Sequence, residues 1–166
     1  MDTRRRLLLA LAATTGSALF AGCGFHLRGD YQLPFATLHI GLPDASELYA
    51  QIRRAVEAGS ATRIVNAPAD AEARLLVLAN TQTKDVLSIS AAGRVREFEL
   101  KRQFQFRLLG RDDRELIGLS TINARRDITF SDEQVLSKET EEQLLWQDMQ
   151  VDIVTQLLRR LAAAKR

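Results

Sequence analysis

Few residues in this chain of 166 are of types that do chemistry, and most of them stand alone. There is one cysteine, Cys23, and there are two histidines, His26 and His39. Cys23 follows Phe20-Ala21-Gly22. Small residues ahead of a thiol suit the groove of a processing peptidase, and a thiolate is a nucleophile that can accept an acyl group. A single cysteine excludes a disulfide framework and a Cys-rich zinc site. No nucleophile–base pair can be named. His26 lies close to Cys23, and His39 is isolated in a strand-like run, where a packed or surface role is the ordinary one. Asp112 and Asp113 are neighbours in a polar turn, whereas carboxylates that share acid–base work must face each other across a substrate. Gly24 and Gly29 have P-loop spacing, but Asp30-Tyr31 stand where Lys and Ser/Thr are required, and no strand precedes them. The residues predict no enzyme and no metal, and no cofactor other than a lipid on Cys23.

The segment before Cys23 has the build of an address. Arg4, Arg5 and Arg6 form a short basic region, and Leu7 to Ala21 contains no charged residue. The apolar run is too short for a comfortable transmembrane helix and fits an export signal. Phe20-Ala21-Gly22-Cys23 resembles a lipobox, where a lipoprotein signal is cut and the cysteine acylated. Several acyl chains would then hold the protein at a membrane, since one chain binds only marginally. Gly24, rather than Asp, follows the cysteine, which in similar lipoproteins favours the outer membrane. Thr3 to Leu8 also resembles a twin-arginine signal; the general secretory route is the preferred reading. The expected divisions are a signal over 1–22, a lipidated tether over 23–36 and one domain over 37–163. The three arginines and Asp2 account for the whole formal net charge of +2, so the remainder is balanced. Nothing in that balance supports nucleic-acid binding.

The domain that follows reads as alternating elements. Thr37-Leu38-His39-Ile40 is a short strand. Asp44 opens a helix, with Glu47 as its capping-box partner, apolar Leu48, Ile52, Ala55 and Val56, and Gly59 as the stop. Thr62 to Val65 is a second short strand. Arg74 to Ser90 is a long one, ended by the Ala91-Ala92-Gly93 turn. In the next strand Phe98, Leu100, Phe104, Phe106 and Leu108 fall on even positions, with charged and amide residues between them. Arg102 interrupts that apolar face, which singles it out among the cations as a candidate for binding; the alternative is an edge position, where its long side chain reaches water. Glu115 to Phe130 returns as a strand with Ile122, Ala124 and Ile128 on one face. A helix over Leu136 to Ala163 carries a broad stripe that includes Leu144, Met149, Val151, Val154 and Leu157. These elements predict an α+β two-layer sandwich. Two helices pack on one face of a mixed, mainly antiparallel sheet of four to five strands.

The basic residues are placed suggestively. Arg94 and Arg96 flank the hairpin tip, Lys101, Arg102 and Arg107 lie on the following strand, and Lys138 opens the last helix. Arginine and lysine can clamp lipid phosphates. From spacing alone the favoured reading is a solvated face balanced by Glu97, Glu99 and Asp127.

The string Cys23-Gly24-Phe25-His26-Leu27-Arg28-Gly29 resembles the start of the LptE family of lipopolysaccharide-assembly lipoproteins. The long hairpin with its Gly93 turn, Leu136-Ser137-Lys138-Glu139 and Leu157-Leu158-Arg159-Arg160-Leu161 extend the resemblance. It implies an outer-membrane lipoprotein, anchored on the periplasmic side, that plugs the LptD β-barrel and assists lipopolysaccharide insertion into the outer leaflet. It also implies lipopolysaccharide contacts, carried over to Lys138 first and then to Arg94 and Arg96. The alternative is a free-standing outer-membrane lipoprotein that binds lipid or cell wall without a barrel.

Overall fold

The computed structural model describes residues 31–130 and 135–165, so the expected signal, Cys23 and His26 lie outside the described residues. The elements are β1 (Thr37–Gly41), α1 (Glu47–Gly59), β2 (Arg63–Ile64), a short 3-10 turn (Pro68–Asp70), β3 (Ala73–Ile89), β4 (Val95–Gly110), β5 (Glu115–Thr129) and α2 (Val135–Ala162). They form one five-stranded sheet in the order β2-β1-β3-β4-β5. β1 runs parallel to both β2 and β3, and β3, β4 and β5 form an antiparallel meander. This is the α+β sandwich expected from the sequence, with five strands and two helices on one face.

The core is built on β4. Leu100, Phe104, Phe106 and Leu108 are completely buried, and the residues between them face away. Period-2 alternation is the cause: one row of side chains points at the helices and the other does not. Met149, Ile153, Leu157 and Leu161 of α2 pack with that row in one core, to which Ile52 and Val56 of α1 also belong. The helical stripe is narrower than expected, because Leu144 and Val151 are exposed. A Cβ at Gly41 would lie 2.8 Å from the Leu75 carbonyl oxygen, so the last paired position of β1 needs glycine.

Three local expectations are corrected. Asp44 does not cap α1; Ser46 does, its Oγ accepting from the Tyr49 N–H at 3.1 Å. That satisfies one of the orphan donors at the helix start. Gly59 is still helical and is not the stop. The chain leaves through extended Ser60, whose hydroxyl donates to the Val56 carbonyl at 2.7 Å. Arg102 is not at an edge. β4 is flanked on both sides, with Gln82 and Ala124 opposite Arg102. Its side chain is only 5% exposed and its Nε has no hydrogen-bond partner. Burial pushes the guanidinium below its ordinary pKa, and the charge of Glu47 opposes that shift.

The run expected to be tether is, over its described part, laid against the domain. Phe35 is buried, Tyr31 and Leu33 pack on the core, and the Tyr31 N–H donates to the Gly59 carbonyl at 2.6 Å. The Thr62 hydroxyl donates to the Phe35 carbonyl at 2.7 Å and fixes the entry to β1.

The burial pattern makes two substitutions diverge. Phe104→Ala is expected to lower stability by about 3–5 kcal/mol through the cavity it leaves. Arg102→Met, which removes a buried Nε–H without a partner and a desolvated guanidinium while nearly keeping the volume, is expected to raise it by about 1–3 kcal/mol. Urea denaturation of both variants checks the pair, and a destabilised Arg102→Met would show that the guanidinium has an essential partner.

Candidate functional site

The meander outruns its cover. β1 stops at Gly41, opposite Leu76, so β3 has no partner on that side from Val77 onward. A bulge between Val77 and Ala79 then shifts the alternation of β3. Asn80, Gln82, Lys84 and Val86 come opposite the inward residues Phe104, Arg102, Leu100 and Phe98. Lys84 therefore faces the helical side. Its Nζ lies 4.3 Å from the centre of the Phe98 ring and 2.6 Å from Glu142 Oε2 of α2. Trp146 Nε1 donates to the same Glu142 at 3.3 Å, so one carboxylate ties the first turns of α2 to the hairpin.

The hairpin tip closes at Gly93, which has a φ of +75°. The Gly93 N–H donates to the Ser90 carbonyl and the Ser90 N–H to the Arg94 carbonyl, at 2.9 and 2.7 Å. Arg94 and Arg96 are both exposed. The end of β3, the start of β4, the end of β5 and the start of α2 meet at this end of the sheet. The Phe130 N–H donates to the Arg96 carbonyl at 2.7 Å, and the Phe98 and Phe130 rings meet edge to face. Lys138 lies in the opening turns of α2, one turn before Glu142, with its Nζ 2.8 Å from Glu141 Oε2. The fold thus brings Arg94, Arg96 and Lys138 to one end. Cys23, the fourth residue singled out by the sequence, lies outside the described residues.

Beside the tip are apolar residues the sequence reading did not flag as functional. Val86, Leu87 and Ile89 are each at least half exposed. Their signal was available: apolar side chains at consecutive positions break the alternation of a half-buried strand. Large exposed apolar residues next to cations make a surface suited to an amphiphile with phosphate groups and hydrocarbon chains.

Several other cations have structural partners. Lys101 Nζ lies 2.5 Å from Glu99 and 3.1 Å from Asp85, and both bonds raise its pKa, Glu99 more. Arg126 binds Asp152 at 2.5 Å and Asp148 at 2.6 Å, joining β5 to α2, and the two carboxylates raise its pKa in that order. Arg107 faces Glu115 at 3.7 Å. Asp113 pairs with Arg74, while Asp112 accepts from the Arg114 N–H, so the adjacent carboxylates serve a turn. His39 Nδ1 is 3.3 Å from the Val65 carbonyl oxygen, a packed strand histidine. Among the described residues no group of His, Cys, Asp or Glu is placed to hold a metal. No described helix is long and apolar enough to cross a membrane.

Residues 35–161 match the family model for LptE, described as lipopolysaccharide-assembly. The chain belongs to the LptE family. It is 31% identical to the LPS-assembly lipoprotein LptE of Pectobacterium atrosepticum, over 95% of this chain and 86% of that one. Among solved structures it is similar to a lipoprotein B of Nitrosomonas europaea. The TM-score is 0.73 at 37% identity, covering 84% of this chain and 91% of that one. The rare lipoprotein B of Shewanella oneidensis shares the fold, with a TM-score of 0.62 at 23% identity over 76% and 94% of the two chains. LptE membership assigns the chain to lipopolysaccharide assembly in the cell envelope.

The LptE hairpin depends on a left-handed residue at its tip. Gly93→Ala is expected to cost about 1–2 kcal/mol, although no atom lies within 4 Å of the added Cβ. Gly93→Asn is expected to cost less, since Asn tolerates that conformation. Denaturation midpoints of the two variants check this order.

Proposed function

We propose that this protein is an outer-membrane lipoprotein, acylated on Cys23, that plugs an LptD-type β-barrel and assists lipopolysaccharide insertion into the outer leaflet. The family match over residues 35–161 carries the reading. The shape of the domain supports it. β4 spans sixteen residues, so the meander is roughly 50 Å long at about 3.3 Å per residue. A hydrocarbon core is about 30 Å thick. A domain tethered at one end of such a meander can carry its other end across that thickness, provided a barrel shields its polar surface.

The tip is the lipid-binding part of the proposal. Arg94, Arg96 and Lys138 engage the phosphates of lipopolysaccharide, and Val86, Leu87 and Ile89 lie beside its acyl chains. Cations fixed on a protein compete with the divalent ions that bridge those phosphates between neighbouring molecules. The bound lipid is thereby kept apart from its aggregates near the barrel. The chemistry is binding throughout, and no residue is assigned a catalytic role.

Tagged protein drawn from detergent-solubilised outer membranes is expected to bring with it a large, heat-modifiable barrel. Recovery of the lipoprotein without one would favour the free-standing alternative. Arg94→Glu, Arg96→Glu and Lys138→Glu together are expected to weaken lipopolysaccharide binding at least tenfold, and added salt to weaken binding by the unaltered protein. Unchanged binding by the triple variant would remove the tip from the mechanism.

A further inference from the structure

The opposite end of the sheet carries a second group of cations that the lipopolysaccharide reading leaves unused. The β4–β5 turn, the entry to β1 and the end of α2 surround an open recess of about 340 Å³. Arg111, Arg114 and Lys165 line it together with Glu72 and Asp112. The acids there are engaged within the protein. Glu72 Oε2 accepts from the Ala36 N–H at 2.7 Å, and Asp112 Oδ1 accepts from the Arg114 N–H at 3.4 Å. Asp113, next in the turn, pairs with Arg74. The guanidinium groups of Arg111 and Arg114 and the Lys165 ammonium form no ion pair among the described residues, and all three residues are exposed. Glu72 and Asp112 keep their charge but bond backbone N–H groups rather than these cations, so the three cations outnumber the two carboxylates of the recess.

The path of the chain says what meets them. Pro34 and Phe35 line the same recess, and the described chain begins only three residues earlier, at Tyr31. Eight residue steps separate Tyr31 from Cys23, a reach of at most about 28 Å fully extended. An acyl group on Cys23 is thereby confined to within about 28 Å of Tyr31, closer than the length of the meander. The bilayer surface nearest that anchor carries phosphate groups, and basic side chains close to an anionic surface each gain about 1 kcal/mol.

We propose that Arg111, Arg114 and Lys165 form a headgroup-docking face that seats this end of the domain on anionic phospholipid beside the Cys23 anchor. The inference rests on the acylation proposed above and adds an orientation. The lipid alone fixes one point of the chain, whereas three cations at this end add a second attachment that holds the long axis of the meander away from the bilayer plane. Arg and Lys suit the task differently: guanidinium groups can bind phosphate oxygens in pairs, and the Lys165 ammonium acts as a point charge.

The test uses the mature protein purified from membranes, its acylation at Cys23 verified by intact mass. It is reconstituted into vesicles of phosphatidylcholine alone or with phosphatidylglycerol added. Hydrogen exchange is then followed at the amides of residues 111–114, with residues 91–94 at the far tip as the internal reference. In the anionic vesicles exchange over 111–114 is expected to slow several-fold while the tip is unchanged. The slowing should vanish in high salt and in the combined Arg111→Gln, Arg114→Gln, Lys165→Gln variant. Equal rates in the two vesicle types, or slowing that survives the triple substitution, would overturn the docking face and leave the anchor standing. A mass without acyl chains would overturn both.

Discussion

From Leu100 to Leu108 every other side chain of β4 enters the hydrophobic core formed by the described residues. Leu100, Phe104, Phe106 and Leu108 are fully buried, and each helix is amphipathic in the register needed to cover them. Full burial of one such side chain contributes roughly 1.5–3 kcal/mol, so this row is a large share of what makes the sheet and helices cohere. The constraint also explains what lies outside the row. α2 covers β4 and β5, α1 sits over the short parallel strands, and the far half of β3 is left without a cover. Its exposed Val86, Leu87 and Ile89 follow from a meander longer than the layer that packs on it.

That mismatch leaves the two ends of the sheet chemically different from its middle. Near the middle, charges are used to hold layers together, as in the Arg126 bonds to Asp148 and Asp152 and the Lys84 bond to Glu142. Toward the ends, cations stand at turns: Arg94 and Arg96 at one, Arg111 and Arg114 at the other. A formal charge balance over residues 23–166 hides this arrangement, because acids and bases are equal in number but differently placed. Net charge reports solubility and long-range fields; it says nothing about where along the sheet the charges stand.

The legible parts of the fold were those with a strict period. The even positions of β4 and the helical stripe ending at Leu161 specify their elements, their inward faces and the two-layer packing. The less legible parts depend on contacts between elements distant in sequence. The bulge after Val77, which turns Lys84 toward α2, has no local residue signature in a run that is apolar before it and polar after it. Ser46 outcompetes Asp44 as the cap because of where the chain turns, and both are good capping types. Arg102 looked like an edge residue because an arginine on an apolar face ordinarily needs water; its interior place follows from a strand order the sequence does not encode locally. Of the proposed site residues, Cys23 is assigned from its neighbours in sequence alone. Lys138 is readable only through family resemblance, since its local context is an ordinary helix start. The recess at the other end was invisible for a different reason: Lys165 and Arg111 are far apart in sequence, and a run of charges in a turn resembles any solvated loop.

Arg102 shows how these levels meet. Its burial without a partner for Nε works against stability, and an apolar residue of similar length would suit its surroundings better. The charge that acts on it is Glu47, in the first turn of α1. A carboxylate there is already favoured by the helix dipole, so Glu47 serves both its own helix and the strand beneath. No hydrogen bond at Nε fixes the interaction. A row made only of Leu and Phe would leave registers that differ by one residue pair nearly equivalent in packing. A guanidinium within the row makes them unequal, because each shift would set its charge among different neighbours. The unfavourable burial and the sharper choice of register are two consequences of one placement.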